Sequence, residues 1–138
     1  MKHSIRFMLL ALLLFYICAG CSSRKESDPD VLSCFSMNRD ENLVVIANRN
    51  EIKDKKEFAR QLVRMCKENS FHSIKFSTDR GYATGLDMRV YLWRDEVEGH
   101  DPVMVVEYKS DDWNQQYDIV NHPEMFRLYV DGELIDSE

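Results

Sequence analysis

The spacing of apolar side chains changes period along the chain. After a polar stretch ending at Asp30, Val31–Met37 reads as a weak strand. Leu43–Ala47 (Leu-Val-Val-Ile-Ala) is a short apolar run rich in β-branched residues, the pattern of a buried strand. Over residues 55 to 68 the period becomes helical: Phe58, Leu62, Met65 and Cys66 fall on one stripe, with Arg60, Arg64 and Lys67 off it. Asp54, three residues before Glu57, supplies a capping pair, and Asn69 a stop. From residue 73 onward the period is two. Ser73–Ser77 carries Ile74 and Phe76 on one face, and Leu86, Met88, Val90 and Leu92 alternate with Asp87, Arg89, Tyr91 and Trp93. Val103–Tyr108 starts apolar on both faces, as a central strand does, and residues 115 to 120 predict a short strand. Phe126, Leu128 and Val130 alternate again before Asp131-Gly132, a favoured two-residue hairpin turn, with Glu133–Asp136 as a closing edge. The expectation is an α+β domain, with one amphipathic helix packed on a mainly antiparallel sheet of about five strands.

Residues 1 to 20 stand apart from this pattern. Lys2, His3 and Arg6 precede an unbroken apolar run of eleven residues from Phe7 to Ile17, followed by Cys18-Ala19-Gly20-Cys21-Ser22-Ser23. That run is too short to span a bilayer, which takes about 20 helical residues, and it fits the core of a signal peptide. The segment resembles a bacterial lipoprotein signal: Ala19-Gly20-Cys21 matches the last three places of the lipobox, while Cys18 stands where Leu is usual. The resemblance covers residues 1 to 23. It implies diacylglyceryl transfer to the Cys21 thiol, cleavage after Gly20 and N-acylation of the new terminus, typically with palmitate. Two acyl chains anchor stably where one holds only marginally. The implied location is a lipid anchor on the extracytoplasmic face of the bacterial cell envelope, inner or outer membrane left open. The rival reading is an ordinary cleaved signal and a freely secreted protein.

Residues 21 to 30 then form the lipidated cysteine and a polar tether, Ser22 to Asp30, with a reach of about 15–18 Å. Residues 31 to 138 form a single small domain.

The 138 residues include 18 basic and 24 acidic ones. Loss of Lys2 and Arg6 with the signal leaves 16 against 24, a net charge of −8. This balance excludes a basic nucleic-acid binder, since the phosphate backbone would be repelled. It also excludes electrostatic adsorption to anionic lipid, so attachment to the bilayer falls to Cys21. With only five Gly and three Pro, the chain is neither collagen-like nor a low-complexity segment.

Cys34 and Cys66 are the cysteines left in the folded part. An exported protein can keep them as a disulfide, and closing a loop of about 30 residues contributes roughly 3 kcal/mol in the chain-entropy model. The alternative is that Cys66 serves as a small buried apolar residue on the helix face. Both readings stand. No cofactor or metal is expected. There is no C-x-x-C, and His72, His100 and His122 lack metal-pair spacing. The acidic stretch Asp95–Asp101 does not alternate as a calcium loop must, and reads as a solvated turn. No catalytic residue is expected either. G-x-S-x-G is absent, Cys66 lies on the stripe predicted to be buried, and the Asp79–Gly85 loop lacks the phosphate-binding pattern.

Four aromatics are the candidate contact surface. Tyr91 and Trp93 occupy the polar-alternating face of their strand, and Trp113 and Tyr117 lie in or beside the acidic stretch Asp111–Asn114. Tyr and Trp favour binding hot spots, although the N-terminal strand or loops could cover this face and make these residues core. The functional expectation is a membrane-anchored lipoprotein with a small non-catalytic binding or accessory domain and a protein partner in the envelope. The alternatives are an immunity or inhibitor protein that neutralises a basic toxin or hydrolase, and a small envelope hydrolase.

Overall fold

A computed structural model of the chain describes residues 24–112 and 116–135. The signal segment, Cys21 with Ser22 and Ser23, Trp113 with Asn114, Gln115, and Asp136 lie outside the described residues. The described elements are β1 (Asp30–Met37), β2 (Asp40–Ile46), α1 (Lys55–Glu68), β3 (Gly85–Tyr91), β4 (Met104–Ser110), β5 (Phe126–Val130) and β6 (Glu133–Ile135). Single helical turns lie at Arg94–Glu96 and Pro123–Met125.

The strands form one mixed sheet in the order β1-β2-β3-β4-β5-β6. The domain is α+β as the pattern predicts, but the sheet has six strands rather than about five. Only β2 and β3 run parallel. Parallel neighbours need a crossover, and α1 with the segment after it supplies that connection.

Helix α1 follows its sequence signals closely. The Asp54 side chain accepts from the Glu57 N–H at 2.9 Å, and Asn69 turns left-handed at φ 54° to end the helix. Phe58, Ala59, Leu62, Val63 and Cys66 are buried. Beneath them the strand register aligns Leu43, Met88, Val106 and Val130 in one row across β2 to β5, all buried on the helix side. The next row, Val45, Val90 and Met104, is equally closed to solvent. Because side chains alternate across a strand, the opposite face carries Phe35, Asn42, Asp87, Glu107, Tyr129 and Leu134 in a second row. That face is open enough to leave Phe35 63% exposed.

Two predicted strands are not strands. Residues 73–77 run outside the sheet although Ile74 and Phe76 are half-buried as the alternation requires. Their backbone is satisfied by side chains instead. Phe76 N–H donates to Asn69 Oδ1 at 2.8 Å, Asn69 Nδ2 donates to the Phe76 carbonyl at 3.0 Å, and Ser73 N–H donates to Asp30 Oδ1 at 3.0 Å. In residues 116–120 a turn replaces the ladder. Asp118 accepts from the Val120 and Asn121 N–H groups at 3.0 and 2.7 Å, an arrangement open to a short acidic side chain at a turn.

The two tight hairpins differ in legibility. Asp131-Gly132 takes positive φ at both residues, 51° and 82°, as its sequence predicts. The β1–β2 turn uses Asn38-Arg39 with φ 51° and 74°, and here the second residue has no glycine's freedom.

Candidate functional site

A cavity of about 810 Å³ opens between β1, β2, the end of α1 and residues 74–83. It lies at the sheet end that holds the Asn38-Arg39 turn and the start of β3. Ile74, Phe76, Ala83, Leu86 and Ile119 give it an apolar lining. Cys34 reaches it from β1 and Cys66 from α1, with Ser36 and Glu41 beside them. The β1–β2 register builds this cluster: Ser36 pairs with Glu41 across the hairpin, and Cys34 stands one step along the same face.

Each oxygen of the Glu41 carboxylate accepts from a neighbour. The Cys34 thiol donates to Oε2 at 3.0 Å and the Ser36 hydroxyl to Oε1 at 2.9 Å. Burial, reinforced by the hydrogen bond and negative charge of Glu41, pushes the Cys34 thiol up from 9.0 to about 12. Burial pushes the Cys66 thiol up further, with Cys34 and Glu41 adding to it. The two sulfurs are free thiols in the structure and are not bonded to each other. A protonated thiol is a poor nucleophile and a poor metal ligand, so this cluster is suited to holding a shape rather than to attack. No group of three or more metal-ligating side chains occurs among the described residues.

Cations surround the cavity, each placed by a different element. Lys75 Nζ donates to the Asn69 and Phe71 carbonyls at 2.9 and 2.7 Å, where the end of a helix favours positive charge. Lys67 Nζ donates to the Tyr108 hydroxyl at 3.1 Å and stands 4.8 Å from its ring centre. Arg39 Nη1 donates to the Arg80 carbonyl at 3.4 Å, tying the β1–β2 turn to the loop before β3.

The N-terminal segment sits at the other end of the sheet. Ser27 N–H donates to the Asn48 carbonyl at 3.1 Å, Asn48 Nδ2 to the Asp28 carbonyl at 2.8 Å, and Asn50 N–H to Glu26 at 3.0 Å. Pro29 is fully buried. Residues 24–29, polar enough to read as a free tether, are therefore laid against the domain.

Of the four aromatics of the expected contact surface, Tyr91, Trp93 and Tyr117 are described. Tyr91 is only 8% exposed. Trp93 is half-buried, with the Arg24 guanidinium 5.3 Å from its ring centre. Tyr117 is half-buried, packs on the core and meets the His122 ring edge-on at 5.3 Å. Tyr91 ends β3 while Tyr117 lies beside the Ile119–Ala83 hydrogen bond at its start, so about 20 Å of strand separates them. Trp113 lies outside the described residues.

The histidines stand on three separate segments. His72 and His100 are exposed, and His122 is half-buried beside Asp118, whose N–H donates to His122 Nδ1 at 3.4 Å and whose carboxylate stands 3.8 Å from the same nitrogen. In the stretch after β3, Asp95 is engaged by Arg24 at 2.6 Å. No helix among the described residues is long and apolar enough to cross a membrane.

The cavity was not legible in the sequence. Residues 34–41, 66–69 and 74–83 meet only through the hairpin register and the helix crossing, and Arg39 and Arg80 look like ordinary loop cations. The one local clue is Asn38, an acceptable first residue for a tight hairpin. No protein family, curated protein or solved structure matches the chain.

Proposed function

We propose that this chain is a membrane-anchored extracytoplasmic lipoprotein whose globular part is a non-catalytic binding module, with the cavity beside Cys34, Glu41 and Cys66 as its site. The observation that supports this reading most is the placement of the cavity and the N-terminal segment at opposite ends of the sheet. With Cys21 acylated, residues 24–29 hold the domain close to the bilayer and the cavity mouth faces away from it. A ligand would then arrive from the compartment rather than from the anchoring membrane. The side chains lining the site suit binding: the thiols are held protonated and Glu41 has both oxygens engaged.

Fractionation of cells expressing the wild type and Cys21→Ser tests the anchor. The wild type is expected in the membrane fraction and resistant to a salt wash, while Cys21→Ser accumulates as an uncleaved or soluble form. Equal membrane retention of an identically processed Cys21→Ser protein contradicts the reading.

One feature favours a second role, that of an immunity or inhibitor protein. A depression at the sheet end that holds the Asn38-Arg39 turn is lined by Asp40, Asp87, Glu107, Asp111 and Asp112 with one cation, Lys109, paired to Glu107 at 2.8 Å, beside Met37, which is 57% exposed. An acidic rim around an apolar contact suits a basic toxin or hydrolase. That role predicts an envelope partner released by salt from the wild type and not retained by Asp87→Lys/Glu107→Lys.

A further inference from the structure

We infer that the cavity takes a small oxyanion carrying an apolar body, with the charged end at the Arg39–Arg80 rim and the body against Ile74, Phe76, Leu86 and Ile119. This deepens the binding-module reading and rests on it. The local charge runs against that of the molecule. In a mature chain of net charge −8, the cavity gathers Arg39, Lys67, Lys75 and Arg80 against two carboxylates, Glu41 and Asp79.

The state of each charge then separates structural groups from available ones. Lys75 is committed to the carbonyls at the helix end and Lys67 to Tyr108. Glu41 is committed to Cys34 and Ser36. Arg39 is committed as well, donating to the Arg80 carbonyl, while the Arg80 guanidinium has no hydrogen bond or ion pair among the described residues.

The backbone adds an independent observation. Arg39 holds φ 74° at the second place of a two-residue turn, where its β-carbon costs about 1–2 kcal/mol and glycine would cost none. Strain of this kind is kept where the side chain has a use. Gly81 shows how closely the Arg39 guanidinium is seated. Its φ is 98°, and a β-carbon there would stand 2.7 Å from Arg39 Nη1. A strained turn and a glycine thus bring Arg39 to the rim that Arg80 also occupies. Guanidinium groups bind carboxylate, phosphate and sulfonate by paired hydrogen bonds, and Arg80 lines the cavity together with three further cations. The volume of about 810 Å³ lies within the range of small-molecule sites, about 300–1,000 Å³.

The test uses the full-length protein in non-ionic detergent, titrated calorimetrically against a detergent blank. Naphthalene-1-sulfonate is the charged probe, and naphthalene-1-sulfonamide is its uncharged analogue of nearly equal size. The sulfonate is expected to bind about tenfold more tightly than the sulfonamide, and Arg80→Glu to remove that advantage. Lys25→Glu, an equal charge change on the N-terminal segment, should leave it intact. Ala83→Trp, which fills the cavity, should abolish binding of both probes while the thermal transition persists. 1-Naphthoate and 1-naphthyl phosphate, compared in the same way, separate a carboxylate ligand from a phosphate ester.

Equal affinity for sulfonate and sulfonamide overturns the inference. So does an Arg80→Glu protein that keeps the preference, or a wild type that melts cooperatively and binds neither probe. Anchoring is read separately from membrane fractions. An unanchored chain that still prefers the sulfonate contradicts the lipoprotein reading alone, and an anchored chain without the preference contradicts the anion alone.

Discussion

The Cys34 thiol shows how one residue's chemistry is set by a neighbour seven positions away. Burial and the Glu41 carboxylate hold its proton to about pH 12. Because the folded value lies above the ordinary 9.0, the associated stability is fully present below pH 9 and is lost as pH rises towards 12. The melting temperature of the wild type should therefore fall over that alkaline window, and Cys34→Ser should lessen the fall. Iodoacetamide labelling at pH 8.5 gives a second check. Cys34 should react slowly in the wild type and faster in Glu41→Gln, which removes the charge but not the shape. A disulfide between Cys34 and Cys66 in protein isolated from cells would appear as a loss of two hydrogens and abolish labelling of both. The sequence identifies both cysteines as the pair to watch, on helix and strand. It does not reveal Glu41, whose place beside Cys34 depends on a hairpin turning at Asn38-Arg39, without the glycine that usually announces such a turn.

At the scale of elements, α1 was the most legible part because its signals are local. The stripe, the Asp54 cap and the Asn69 stop all lie within sixteen residues and agree. Asp54→Ala should cost about 1 kcal/mol of stability in a denaturant titration, since the Glu57 N–H loses its acceptor. Met88→Ala, at the centre of the buried row under the helix, should cost about 2–5 kcal/mol in the same measurement.

The strands were less legible where side chains compete for backbone bonds. Ile74 and Phe76 alternate as a strand would, yet Asn69 and Asp30 supply partners that a neighbouring strand would otherwise provide. The same substitution of side chain for ladder shapes the turn at Asp118. Burial pushes its carboxyl up, but the Asn121 N–H and side chain, the Val120 N–H and the nearby His122 outweigh burial and hold it below the usual carboxylate value. Asp131 is also held low: burial opposes it, and Lys55 and the Val105 N–H prevail. Both groups contribute stability above pH 3.8 that is lost as pH falls through their lowered values. The acid unfolding midpoint should shift upward in Asp118→Ala, where the Val120 and Asn121 N–H groups lose their partner.

For the molecule as a whole, sequence and structure contribute different halves of the account. The proposed location rests on residues 1 to 23, through charge, an apolar run and small residues before Cys21, a pattern that needs no tertiary structure. The site comes from the fold, because its cations and apolar walls are drawn from segments far apart in the chain. In the proposed arrangement their relation rests on the N-terminal segment, whose hydrogen bonds to Asn48 and Asn50 lie at the sheet end opposite the cavity and would turn that end towards an anchor at Cys21. A freely secreted domain would have no such orientation to set. The most direct test is therefore intact-mass spectrometry of the protein isolated from the membrane of its own cells. A chain beginning at Cys21 and carrying the added mass of a diacylglyceryl group is expected. An unmodified chain cut at another position would contradict the proposed anchor.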